Sequence, residues 1–110
     1  MDLKELLKRT KSKAVFLLKE EKGEAQLIDF YPKENNLGDL QDKMIVFQTL
    51  IFNMSNHFFN TFFNTALKQI RLKSDNENIL IIKHNGYILF FLSDKKINTG
   101  LLEITLKKEF

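Results

Sequence analysis

The stretch "MIVFQTLIFNMSNHFFNTFF", residues 44 to 63, carries no formal charge, contains no Gly or Pro, and has twelve apolar side chains among its twenty. Its length exceeds that of an ordinary strand, and nothing interrupts it, so it predicts a long helix from Leu37 or Leu40 to about Phe63, with Asp39 placed to cap its start. A membrane span needs about 20 predominantly apolar residues. Gln48, Thr49, Asn53, Ser55, Asn56, His57, Asn60 and Thr61 would be costly in lipid, so a span is excluded.

With 100° per residue, Leu40, Met44, Phe47, Ile51, Met54, Phe58 and Phe62 fall within about 40° of one line, a stripe wide enough to pack on a sheet. Ile45, Phe52, Phe59 and Phe63 cluster about 120° away, while Asp42, Asn53, Asn56, Asn60 and Asn64 take the far side. The helix therefore has two apolar faces. The first is expected to face the core and the second to be covered by another chain, because four exposed side chains of this size would form a sticky patch. An identical helix across a two-fold axis is the simplest cover.

The rest of the 110 residues fits a single domain, residues 1–110, with one core. Residues 2 to 9 place Leu3, Leu6 and Leu7 on one side of a short amphipathic helix. "KAVFLLKE" (13 to 20) and "AQLIDFYP" (25 to 32) read as a hairpin around Gly23, followed by the polar loop "KENNLGD". "LKQIRLK" (67 to 73), "NILIIKH" (78 to 84) and "YILFFLS" (87 to 93), joined by "SDNE" and "HNG", read as an antiparallel meander. In the tail, Leu102, Ile104 and Leu106 alternate as in a strand, whereas Ile97, Leu101, Ile104 and Lys108 share a helical face, so the residues leave both readings open. The element order is that of an α+β domain, an antiparallel sheet with helices to cover it.

Composition excludes several classes of function. With no Cys there are no disulfides, thiolate metal sites or cysteine nucleophiles, which suits a reducing, cytoplasmic setting. The N-terminus lacks the apolar run of a secretory signal. The net charge of +3 comes from lysines interleaved with acids and apart from the aromatics, the pattern of a solvated surface rather than of a nucleic-acid groove. None of the four glycines forms a phosphate-binding loop. His57 and His84 lack metal-ligand spacing, and Ser55, Ser74 and Ser93 lack a nucleophile-elbow context. No catalytic, metal or cofactor-binding residue is expected, and the chain reads as a non-enzyme.

The hairpin "AVFLLKEEKGEAQLIDF", the meander of residues 67 to 93, its "Gly86-Tyr87-Ile88-Leu89" exit, the strand end "Leu92-Ser93-Asp94" and the "Asn98-Thr99-Gly100-Leu101-Leu102" start of the tail resemble the roadblock/dynein-light-chain domain family in order and spacing. The long helix departs from that family in being rich in Phe and Asn, and the first hairpin in lacking a Gly-rich character. The resemblance implies an α-β-β-α-β-β-β-α chain, roadblock- or profilin-like. Its five-stranded antiparallel sheet would carry the long helix on one face and the short N- and C-terminal helices on the other, with the tail a helix.

It further implies a homodimer joined through the edge strand of residues 67 to 73, including Lys68, Ile70 and Leu72, and through a helix seam at Ile45, Phe52, Phe59 and Phe63. Family members commonly bind Ras-like small GTPases over the helix pair, as activating proteins or scaffolds, and others are subunits of dynein or of lysosomal signalling complexes. A regulator of the bacterial or archaeal type would present Gln48, Asn56 and Asn60 to its GTPase. Arg9 and Arg71 are the only arginines, so activation is expected to work without an arginine finger, by positioning the GTPase's own residues. Two other readings compete. A PAS-like or profilin-like small-molecule sensor would need a cavity among Phe16, Phe30, Phe90 and Phe91, and a nucleic-acid binder would use Lys68, Arg71 and Lys73.

Overall fold

The structure, a computed structural model, describes residues 2–21, 24–33, 39–94, 100, 102, 106 and 107, without the side chains of residues 24 and 39–42. The turn at Gly23, the "KENNLGD" loop as far as Gly38, and most of the tail, including the face of Ile97, Leu101, Ile104 and Lys108, lie outside these residues. The elements are α1 (Leu3–Thr10), β1 (Ala14–Glu21), β2 (Glu24–Tyr31), α2 (Asp39–Phe63), β3 (Gln69–Lys73), β4 (Asn78–His84) and β5 (Tyr87–Ser93). All pairings are antiparallel, in the order β2-β1-β5-β4-β3.

Local chemistry sets the boundaries. Asp2 caps α1, its carboxylate accepting the Glu5 N–H at 3.2 Å, and Lys11 closes the helix in the left-handed region at φ 57°. Asn64 does the same for α2 at φ 53°, with the Thr65 N–H donating back to the Phe59 carbonyl at 3.4 Å. The β4–β5 hairpin turns on Asn85 (φ 50°) and Gly86 (φ 80°), the two positive φ values that a tight hairpin of matching twist requires. In the β3–β4 turn, Ser74 and Glu77 bond reciprocally, Ser74 N–H to the Glu77 carbonyl at 2.8 Å and Glu77 N–H to Ser74 Oγ at 3.1 Å. Between Leu17 and Leu18 the β1–β2 register slips by one residue. The resulting bulge brings both Leu27 and Phe30 onto one face.

Strand alternation divides the core into two layers. Val15, Leu17, Leu80, Ile82, Leu89 and Phe91 meet Leu3 and Leu6 of α1 together with Leu102 and Leu106 of the tail. The four described tail residues, Gly100, Leu102, Leu106 and Lys107, are helical, which settles the choice left open by the residues alone. On the other face, Phe16, Leu18, Ile81, Ile88 and Phe90 meet α2. One long helix on one face and the chain termini on the other is the expected arrangement.

The rotation of α2 about its axis differs from expectation. Phe52, assigned to the partner-facing set, is 1% exposed against the protomer's own sheet, and Ile45 is half-buried in the same cluster. Phe47, Met54 and Phe62, assigned to the core stripe, are 62%, 71% and 68% exposed. The first stripe is thus largely exposed, and of the second set Ile45 and Phe52 turn to the sheet while Phe59 and Phe63 stay exposed. Among the described side chains of the stripe, Met44 at its margin still packs in the sheet-facing cluster.

Candidate functional site

The surface feature that sets this chain apart is the outer side of α2. Nine of the eleven exposed large hydrophobic residues among the described ones lie on this helix, from Val46 to Phe63. Phe47, Ile51, Met54, Phe58 and Phe62 recur at intervals of three and four, so they form one continuous stripe. Its C-terminal end is aromatic: Phe58 and Phe62 approach to 4.6 Å between ring centroids, and Phe59 and Phe63 to 5.4 Å. Phe59 and Phe63, expected at a helix seam, are exposed in this cluster, two to three turns beyond the buried Phe52.

Beside the stripe, α2 and the β3–β4 hairpin enclose a groove of about 330 Å³, lined by Met44, Phe47, Gln48, Ile51, Leu72 and Ile79 among others. The stripe therefore continues into a concave apolar surface whose floor is the sheet, and it faces the β3 side of the domain. Sequence reasoning missed the exposure of Phe47, Ile51, Met54 and Phe58 because their periodicity is also that of a core stripe.

The open edge of the sheet borders the groove. Among the described residues, β3 pairs with β4 alone. The Lys83 N–H donates to the Lys68 carbonyl at 3.0 Å, and in an antiparallel ladder such bonded pairs alternate. The bonded pairs therefore continue at Ile70/Ile81 and Leu72/Ile79, which directs the backbone groups of Gln69, Arg71 and Lys73 outward. Of the residues expected at this edge, Ile70 is half-buried under α2, Leu72 lies on the groove floor, and Lys68 precedes the strand. An edge of this kind is a template for another strand.

The polar residues expected to meet a GTPase are placed differently from one another. Gln48 is 2% exposed, and neither its Oε1 nor its Nε2 has a hydrogen-bond partner among the described residues. Asn56 works inside the protomer, its Oδ1 accepting the Leu67 N–H at 2.8 Å and tying the entry of β3 to α2. Only Asn60 is exposed, with its Nδ2 donating to the Asn56 carbonyl at 3.2 Å. Arg9 lies on α1 and pairs with Glu5 at 2.9 Å.

The sensor reading finds no support in the aromatics it named. Phe16 stacks with Phe30 and meets Phe90 edge-on, both at 6.1 Å, whereas Phe91 belongs to the opposite layer, so the four do not line one cavity. The described residues contain no group of three or more potential metal ligands. The shifted titrations lie away from the groove, where the Glu21 carboxylate raises the Lys19 pKa and the Lys33 ammonium lowers that of Asp29. No helix among the described residues is long and apolar enough to cross a membrane.

Comparison with solved structures fits this geometry. The chain superposes on a roadblock/LC7 domain from Streptomyces avermitilis with a TM-score of 0.75 at 12% identity, covering 96% of this chain and 89% of that one. The fold is that of the roadblock/LC7 domain. MglB of Myxococcus xanthus matches with a TM-score of 0.73 at 17% identity, over 94% of this chain and 81% of that one. The gliding protein MglB from Thermus thermophilus matches with the same score at 9% identity, over 96% and 78%. No protein-family model and no curated protein matches the sequence.

Proposed function

We propose that this roadblock-fold chain is a non-enzymatic, cytoplasmic homodimeric platform that binds and regulates a Ras-like small GTPase. The observation that carries the reading is the coincidence of three unpartnered features on one side of the protomer: the apolar stripe of α2, the groove beside it, and the open edge of β3. A second copy related by a two-fold axis would cover all three at once, since an isologous contact sets each edge strand against its own copy and each stripe against the other. The seam then consists of Phe47, Ile51, Met54 and Phe58 with the Arg71 backbone near its centre, while Phe52 and Ile45 remain in the protomer core.

The structural likeness to MglB and the family resemblance support a GTPase as the further partner. The surface offered to it is the outer side of the helix pair, including Asn60. With Arg9 on α1 and Arg71 at the strand edge, activation would come from positioning the GTPase's own groups.

Light scattering coupled to size exclusion tests the dimer. The native chain should show about 26 kDa, twice its 13.0 kDa, and Met54→Asp should fall to the monomer mass, because two carboxylates would be buried in the seam. A native monomer would refute the platform. The GTPase is tested by adding the dimer to a purified Ras-like GTPase from the same genome and following GTP hydrolysis and nucleotide release. Faster turnover that survives the Arg9→Ala, Arg71→Ala double substitution supports regulation without a finger, and loss of activation in an intact double-mutant dimer overturns that mechanism.

A further inference from the structure

Lys68, Lys83 and Lys107 stand far apart in the sequence, and the fold gathers them around one cleft of about 260 Å³ between the end of the β3–β4 pair and the tail. Its floor is apolar, supplied by Ile82 of β4 and Leu106 of the tail, both buried. Gln69 stands opposite Ile82 in the register, and His84 follows two residues along β4, so both lie on the face of the sheet that the tail covers. Lys107, exposed beside Leu106, brings an ammonium to the rim.

The charge around the cleft is uncompensated. The ion pairs of the described residues engage Arg9, Lys13, Lys19 and Lys33, all of them N-terminal to α2, and none engages Lys68, Lys83 or Lys107. Lys68 and Lys83 are cross-strand neighbours, the Lys83 N–H donating to the Lys68 carbonyl at 3.0 Å, and like charges placed opposite one another destabilise a sheet. Their side chains share the other face, where Lys83 Nζ lies 6.0 Å from the centroid of the Phe52 ring. They therefore act on the cleft through their field, and Lys107 acts by contact. A concave site with an apolar floor and cations of one sign around it focuses potential on an anion.

We propose that this cleft binds a phosphate monoester carrying an apolar group, with the phosphate held by the Lys107 ammonium and the Gln69 Nε2–H and the apolar group lying on Ile82 and Leu106. A phosphate monoester carries about two negative charges near neutral pH, which suits three cations better than the single charge of a carboxylate. Lysine serves phosphate as a point charge, so it needs no forked geometry. A nucleic acid needs a groove that tracks its backbone over several nucleotides, and a cleft of this size holds one group. The site lies on the tail side of the sheet and stands independently of the dimeric reading.

The test is a proton–nitrogen NMR titration of the full chain with phenyl phosphate, in which the spectrum itself reports that each variant is folded. Saturable shifts should appear at the amides of Gln69, Ile82, His84 and Lys107. Inorganic phosphate, which lacks the apolar group, should bind at the same residues and more weakly. Lys107→Ala should weaken phenyl phosphate roughly tenfold, the loss of one charge-assisted hydrogen bond. Lys83→Ala, acting through the field alone, should weaken it about twofold. Lys8→Ala removes the same charge from an exposed position on α1 and should change nothing. Shifts that do not saturate, or equal losses in Lys8→Ala and Lys107→Ala, would show a diffuse ion atmosphere and overturn the site.

Sedimentation with phosphatidylcholine vesicles, with and without phosphatidate, separates the two sources of such a phosphate. Binding to phosphatidate vesicles that Lys107→Ala abolishes assigns the cleft to a lipid headgroup. Saturable binding of phenyl phosphate with no vesicle binding assigns it to a soluble ester.

Discussion

Phe52→Ala and Phe58→Ala exchange one phenyl for a methyl on the same helix, and the rotation of α2 predicts opposite outcomes for them. Phe52 is 1% exposed and packed against the sheet-facing cluster of Phe16, Ile81, Ile88 and Phe90. Truncating a buried Phe removes transfer free energy and leaves a cavity, together about 3 to 5 kcal/mol. With an unfolding entropy of about 2.1 cal/mol/K per residue, this lowers the midpoint of a 110-residue domain by roughly 13 to 22 °C. Phe58 is 49% exposed, and its ring contacts are with Phe59, Phe62 and Phe63 of its own helix end. Its loss should cost the protomer under about 1 kcal/mol, the range of a surface substitution that gives up some local packing. Circular dichroism melts at low micromolar and at hundredfold higher concentration separate the two effects. The Phe52 deficit should be the same at both concentrations, and the Phe58 deficit should emerge only at the higher one, where association contributes. A large, concentration-independent loss for Phe58→Ala beside a small one for Phe52→Ala would mean that α2 lies on the sheet by its other face.

Asn56→Ala removes the acceptor of the Leu67 N–H and should cost about 1 kcal/mol in urea unfolding, with no change in dimer mass beyond what that loss brings. Arg71→Pro deletes an N–H that points to the open edge while sparing the Ile70 and Leu72 bonds to β4. It should abolish the dimer in light scattering while the far-ultraviolet spectrum stays that of a folded protomer. Lys33→Ala removes the first cause of the lowered Asp29 pKa, so a carbon-13 NMR titration should show the carboxyl moving back up toward the ordinary carboxylate value.

The strands were legible because each is an apolar run bounded by turn chemistry. β4 and β5 follow the sequence reading residue for residue, since "SDNE" and the Asn85-Gly86 pair allow little else between them. The ends of α2 were legible as well. Its rotation was not, and the reason is physical: a periodicity argument finds the direction of densest apolar residues, and in α2 that direction belongs to the exposed stripe. Among the described side chains, the buried direction carries Phe52, Ile45 and Met44 as its large apolar anchors, with Gln48, Ser55 and Asn56 beside them, so its hydrophobic signal is diluted. Hydrophobicity records that a face is covered, without recording whether its own sheet or another chain covers it. The burial of Gln48 and the internal hydrogen bond of Asn56 were hidden for a related reason, because a polar residue on a helix reads as surface until its surroundings are known.

If the stripe of α2 is covered by a second copy, folding and association are one equilibrium, and the midpoint of unfolding must depend on how much protein is present. For a folded dimer that unfolds to two chains, a hundredfold rise in concentration adds about 2.7 kcal/mol per dimer, or about 1.4 per chain. With the entropy used above, 110 residues convert that into a rise of roughly 6 °C. The measurement needs only the native chain and a concentration series, and it makes no assumption about which partner residues meet. A midpoint that stays fixed over that range would mean that α2 leaves Phe47, Met54 and Phe62 in water without a second copy to cover them. A midpoint that rises as calculated in the native chain and stays flat in Met54→Asp would tie the linkage to this stripe, and would separate it from adventitious self-association through the β2 edge at the other end of the sheet.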